Sequence, residues 1–331
     1  MSRLLLAALT ASSVLAQSWH QQTSTTTASL RGVSAVNKNI AWASGTKGTI
    51  LRTTNGGNTW QQTAMANATD LDFRDIEAFS QQTAYVMSAG PGQLSRVYKT
   101  TDGGGNWVLQ STENHPKGFW DCMSFWNPKH GMIVGDPIDG RFTVLTTEDG
   151  TEWKKREGPA ANKDEAMFAA SGTCLITGGA RQAWFATGGP GGARVYHSGD
   201  GGTTWTITQT AIRHDAQSSG IFSMVLTRQT GVVVGGNYSK PMEAADTLAL
   251  SKDGGKSWAN ATGLSGFRSA IAYSRKRRLW IATGTSGTDV WAGDGKSWKN
   301  IGQGFNALSF AADGTGWGVG ANGAIGLLHY K

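Results

Sequence analysis

Several things are scarce in this 331-residue chain, and each scarcity narrows what it can be. No apolar run is long enough to cross a bilayer as a helix. There are 2 cysteines, so no disulfide framework or four-cysteine zinc site can be built. The 6 histidines (His20, His115, His130, His197, His214 and His329) show no close metal-ligand spacing. No nucleophile elbow, Walker loop or dinucleotide fingerprint occurs in its required context. Charged residues are only 16% of the chain, and the excess of cations, +7, is spread along it. The densest basic run, Arg275 to Arg278, lies between two apolar runs and reads as a solvated hairpin tip. No aromatic-basic surface accompanies it, which argues against a nucleic-acid partner.

What is abundant is glycine, 46 residues, and tryptophan, 14 residues. Short β-rich runs alternate with Gly, Asp and Asn turns, which is the signature of an all-β protein. The N-terminus differs. Arg3 is followed by an apolar stretch from Leu4 to Ala16, with Val14 and Ala16 suited to signal-peptide cleavage. Residues 1–16 are therefore expected to be a signal peptide, with an exported, soluble, monomeric protein beginning at Gln17.

Internal repetition organises the rest. Six segments align: "TTNGGNTW" ending at Trp60, "TTDGGGNW" at Trp107, "TTEDGTEW" at Trp153, "SGDGGTTW" at Trp205, "SKDGGKSW" at Trp258 and "AGDGKSW" at Trp298. They recur at intervals of 40 to 53 residues, a repeat-array period. Each joins two strand-like runs. Glycine supplies positive φ, the Asp or Asn accepts turn hydrogen bonds, and the Trp packs back on the turn. Trp19, in "SWHQQTS", precedes Trp60 by one repeat length. After Trp298 there remain only three strand-like runs, "FNALSF", "GWGVG" and "AIGLLHY", and no further box. The N-terminal run can supply that missing fourth strand. The expected fold is a single seven-bladed β-propeller of four-stranded blades from Gln17 to Lys331, with the last blade closed by the N-terminal strand. Closure removes exposed sheet edges.

The six segments resemble the Asp-box, or BNR, motif found in sialidases, sortilin-like receptors and photosystem II assembly factors. Asn55 replaces the Asp in the first, and the boxes at Asp149 and Asp294 are one residue short. In those families the box is a structural hairpin at the blade periphery, so no site is assigned to it. The stretch "RGVSAVNKNIAWASGTKGTILRTTNGGNTW", Arg31 to Trp60, and the recurrent strand-box pattern resemble the photosystem II stability/assembly factor-like family. "FWDCMSFWNPKHG" and "GIFSMVL" resemble its exported bacterial relatives. The resemblance implies a non-catalytic binding role, with a protein as partner.

Propeller geometry then sorts candidate residues. First strands are expected to start near Leu30, Phe73, Trp120, Glu165, Gly220, Phe267 and Phe305. Their second positions are Arg31, Arg74, Asp121, Ala166, Ile221, Arg268 and Asn306, and five of these seven are polar. A buried guanidinium must be paired or face a wet channel. Arg31, Arg74 and Arg268 are expected to converge on one channel mouth with Asp121 and Asn306. The longer loops of blades two to five overhang it and contribute Asp136, Asp139, Arg141, Arg194, Asn237 and Tyr238. Such a mouth suits an acidic protein segment, an anionic ligand or a glycan. The alternative is a sialidase-like glycoside hydrolase or lyase using three arginines around a carboxylate, although no "RIP" segment precedes the first box. No metal or cofactor is expected. Cys122 and Cys174 are expected at opposite ends of neighbouring blades, as two buried thiols rather than a bonded pair.

Overall fold

The computed structural model describes residues 17–292 and 298–330. The proposed signal peptide, the sixth box at Asp294 and Lys331 lie outside the described residues. Seven antiparallel four-stranded sheets form the seven blades of a β-propeller. The first strands of blades one to six are Leu30–Asn37, Phe73–Ala78, Trp120–Asn127, Leu175–Gly178, Ser219–Leu226 and Ala270–Ser274. Blade seven runs Ala307–Phe310, Gly316–Val319, Ile325–Tyr330, and then takes Gln17–Gln22 as its outer strand. That strand pairs in full register, from Gln17 opposite Tyr330 to Gln22 opposite Ile325. Trp19 packs edge-on against Phe305 with ring centroids 4.7 Å apart. Gln22 reaches on to blade one, accepting from Trp60 Nε1 at 3.0 Å and donating to the Gly56 carbonyl at 3.1 Å. Among the described residues, no helix is long and apolar enough to cross a membrane.

The core is divided rather than central. Among the described residues seven apolar clusters occur, one at each interface between neighbouring blades. Alternate side chains of each strand point to opposite faces of the blade, so every blade supplies two clusters. The cluster between blades one and two joins Trp42 and Ile50 to Phe73, Ile76 and Val86.

The boxes fold as their turn chemistry dictates. In blade two, Thr100 Oγ1 accepts from the Gly104 amide at 2.9 Å and Asp102 Oδ1 from the Asn106 amide at 2.9 Å. The same pair recurs with Ser198 and Asp200 in blade four and with Ser251 and Asp253 in blade five. These bonds favour the ionised carboxylate. The Asn106 amide and side chain hold Asp102 down to about 2, and the Ser257 hydroxyl and amide do the same for Asp253. Asn55 serves in blade one because its Oδ1 accepts from the Thr59 amide at 3.0 Å.

Blade four departs from the sequence expectation. Its first strand begins at Leu175, not near Glu165. Glu165 is held instead by Arg194, by Tyr196 Oη at 3.2 Å and by Thr187 Oγ1 at 2.6 Å. The chain from Ala166 to Thr173 then runs across the propeller axis. The Ala169 carbonyl accepts from Arg74 Nη1 of blade two at 2.8 Å, while Ser171 Oγ donates to the Ser269 carbonyl beside blade six at 2.8 Å. Blades two and six lie on opposite sides of the seven-blade ring, so a segment that touches both must cross it. Gly172, at φ +74°, passes so close to Asp75 that a Cβ would stand 2.3 Å from its Oδ1. Only glycine combines that φ with that approach.

This shift also corrects the expectation for the cysteines. Cys174 immediately precedes a first strand, not a second, so it meets Cys122 on the neighbouring first strand. The two are joined by a disulfide, with Cα atoms 6.0 Å apart, inside the cluster between blades three and four.

Candidate functional site

At one end of the axis a cavity of about 490 Å³ opens among the first strands. The backbone explains which side chains reach it. Register shifts interrupt the first strands between Leu30 and Gly32, Phe73 and Asp75, Trp120 and Cys122, and Ile221 and Ser223. A further shift lies between Gly135 and Pro137 in blade three. Each β-bulge leaves one residue unpaired and turns its side chain out of the strand alternation. These five shifts displace Arg31, Arg74, Asp121, Phe222 and Asp136, and all five line the cavity; second shifts at the far ends of two first strands, at Val36 and Trp126, lie away from it. Phe222 therefore holds the position that the sequence reading gave to Ile221, which packs in a core cluster instead.

Followed around the ring, the lining separates by chemistry. Blades one and two supply the cations Arg31 and Arg74. Blade three supplies Asp121 and Asp136, with Phe119 beside them. Blades four to six supply Phe168, Phe222, Tyr238 and Phe267, and blade seven supplies Asn306. Phe168 stacks on Phe222 with centroids 3.9 Å apart, and Phe267 meets Phe222 edge-on at 4.7 Å. Tyr238 completes this aromatic wall and is half exposed at the rim.

The two arginines are not equivalent. Arg74 donates from Nε to Asp72 at 2.6 Å and from Nη1 to the Ala169 carbonyl. Arg31 makes no hydrogen bond or ion pair within the described residues, and its Nε is buried without a partner. Burial, and then the neighbouring Arg74 charge, push Arg31 down to about 10, partly offset by Asp72. It remains fully cationic at neutral pH. Asp121 is 1% exposed, and its Oδ2 also lacks a partner. Burial and the adjacent Asp136 charge raise Asp121 well above the usual carboxylate range. Burial likewise pushes Asp136 up to about 6, against the Met167 amide that donates to its Oδ1 at 2.8 Å. Among the described residues fourteen buried side-chain polar atoms lack a partner, half of them tryptophan Nε1 atoms, and two of the charged ones belong to side chains that line this cavity. Asn306 is partly used, donating to the Leu30 carbonyl at 2.8 Å.

The remaining sequence candidates do not line it. Arg268 is the main correction. No bulge displaces it, and it turns into blade six, fully buried, donating from Nε to Asp289 Oδ2 at 2.8 Å and from Nη1 to the Phe267 carbonyl at 2.7 Å. Arg194 is engaged by Glu165, and Arg141 pairs at the surface with Glu157 at 3.1 Å. Asp139 and Gly140 both have positive φ, +51° and +79°, in the two-residue turn of a hairpin, so Asp139 is turn chemistry. Asn237 Oδ1 caps the Ser239 amide at 2.9 Å. The aromatic wall was missed from sequence. Its signal was present: Phe267 sits one residue before the expected channel position Arg268, and Phe222 one residue after Ile221.

The comparisons with known proteins agree with this architecture. A family model described as photosynthesis system II assembly factor YCF48 matches residues 11–118. No curated protein matches the chain. Among solved structures, "YCF48 bound to D1 peptide" superposes with a TM-score of 0.67 at 17% identity, covering 94% of this chain and 96% of that one. YCF48 from Cyanidioschyzon merolae superposes with a TM-score of 0.65 at 18% identity, covering 94% and 99%. The chain is a BNR-type seven-bladed propeller, closed by its N-terminal strand, that resembles the photosystem II assembly factor.

Proposed function

We propose that this protein is an exported, monomeric, non-catalytic propeller that holds an acidic protein segment or an anionic ligand at the cavity mouth, as an assembly or stability factor. The observation that carries this reading is Arg31: a cation with no hydrogen bond or ion pair among the described residues, lining a preformed cavity. An arginine so placed gains most from a carboxylate, which it can bind bidentately. The solved relative titled as bound to a D1 peptide supports a protein as the partner class. A sialidase-like reaction is less well supported, because the third arginine it needs, Arg268, is spent on Asp289.

The test is a titration with a fluorescent Asp/Glu-rich peptide. Binding should weaken with added salt, and Arg31→Glu should weaken it at least tenfold, on the order expected for a close charge pair. Equal binding to parent and variant at low salt would refute the reading.

A further inference from the structure

The cavity carries more than a cation. It has three chemically distinct sectors in fixed order around the ring, and two of them contain a buried polar atom with no partner: Arg31 Nε on blade one and Asp121 Oδ2 on blade three. The third sector, on blades four to six, is the aromatic wall of Phe168, Phe222, Phe267 and Tyr238. An acidic peptide side chain would satisfy Arg31 alone. It would leave Asp121 Oδ2 without a partner and would bring a third carboxylate beside Asp121 and Asp136. An occupant that satisfies all three sectors needs an anion, a hydrogen-bond-donating cation and an apolar body.

We infer that the cavity binds a compact zwitterion with an apolar side chain, the chemistry of a free aromatic or large aliphatic α-amino acid. Its carboxylate lies at Arg31, its ammonium at Asp121, and its side chain against Phe222 and Phe168. The three substituents of one α-carbon match the three sectors. The volume, about 490 Å³, falls within the range of small-molecule sites and leaves room for water beside such a ligand. Because the crossing segment 166–173 lies over the axis and contributes Phe168, the three sectors present themselves from one side, which makes the site chiral. This rests on the reading above that the cavity is a binding site, and assigns its Asp and aromatic sectors a ligand of their own.

The test uses the full mature chain and four probes: L-phenylalanine, D-phenylalanine, 3-phenylpropionate, which lacks the ammonium, and phenethylamine, which lacks the carboxylate. Calorimetry should show one phenylalanine enantiomer bound, and each truncated probe weaker by about tenfold or more, the scale of one charged hydrogen bond. Arg31→Gln should remove the advantage of phenylalanine over phenethylamine. Asp121→Asn should remove its advantage over phenylpropionate. Melting temperatures without ligand identify any variant that fails to fold, and Asp136→Asn then serves as a second probe of the acidic sector. The inference is overturned if no probe binds the parent at about 10 mM, a limit equivalent to less than roughly 3 kcal/mol of binding. It is also overturned if the enantiomers bind equally, or if phenylpropionate matches phenylalanine. Should the acidic peptide still bind in an Arg31-dependent way while the amino acids do not, this inference fails and the proposed function stands. The reverse result would separate them the other way.

Discussion

Replacing Arg268 by alanine should damage the fold and spare the site, the opposite of what its place in the sequence suggests. The guanidinium is fully buried and makes four further contacts besides its Nε bond to Asp289. These go to Asp289 again at 2.5 Å, the Phe267 carbonyl, Ser286 Oγ at 2.8 Å and Ser265 Oγ at 2.5 Å. Its removal strands the buried Asp289 carboxylate, and breaking such a pair from one side costs about 3–5 kcal/mol. Asp289 keeps three neutral donors, the Ser265 amide and hydroxyl at 3.0 and 2.9 Å and Asn300 Nδ2 at 3.1 Å, which places the loss toward the lower end. At about 1.5 °C per kcal/mol for a chain of this length, the melting temperature should fall by roughly 4–6 °C. The double variant Arg268→Met with Asp289→Asn should recover at least half of that, since no unpaired charge remains. Thermal melting followed by circular dichroism gives the first number, and the fluorescent acidic peptide, measured well below the melting range, gives the second. The reasoning is refuted if Arg268→Ala melts with the parent but loses the peptide, for the arginine would then belong to the site.

Three other outcomes follow from the same structure. Trp19→Ala removes the ring for which Gly318 and Gly326 make room and should cost about 2–3 kcal/mol, less than a fully buried Trp because Trp19 is only half-buried; unchanged denaturant midpoints would argue against the closing strand. Replacing Cys122 and Cys174 together by serine opens a bridge between residues 52 apart in sequence and should lower stability by about 2–4 kcal/mol; a parent whose melting is insensitive to reductant and to the double change would contradict the bond. Burial pushes Glu77 up to about 7, so the folded state holds that proton more tightly than the unfolded chain; its stabilising contribution is complete below the ordinary glutamate range and is lost as pH rises through about 7. Glu77→Gln should therefore gain on the parent steadily from pH 4.5 to 7.5 in parallel urea titrations, and a constant offset would refute the assignment.

What sequence reading could and could not see follows from the range of the interactions. The boxes were legible because their bonds close within four residues, as from Thr100 to Gly104. The closing strand was legible because a tryptophan spacing counted the blades. The crossing of the axis by residues 166–173 was not legible. Its causes are distant: Arg74, Asp75 and Ser269, on blades that neighbour it only once the ring has closed. The disulfide was misjudged through the same shift in blade four. At the site, Arg31, Arg74 and Asp121 were legible because polar residues punctuate apolar first strands. Arg268 shares that pattern, and only the register tells them apart, since the first three sit on bulges and Arg268 precedes an unbroken strand. Its partner, Asp289, lies in "GTDVW", where nothing local marks it.

The central claim is that the cavity face, and not the face of the Asp-box hairpins, engages the partner. Hydrogen-exchange mass spectrometry of the protein with and without saturating acidic peptide tests it most directly. The account predicts added protection in the crossing segment 166–173, in residues 236–247 and around the bulge at Arg31, with exchange unchanged in the hairpins at Asp102, Asp200 and Asp253. Protection confined to those hairpins, with none around the cavity, would contradict it.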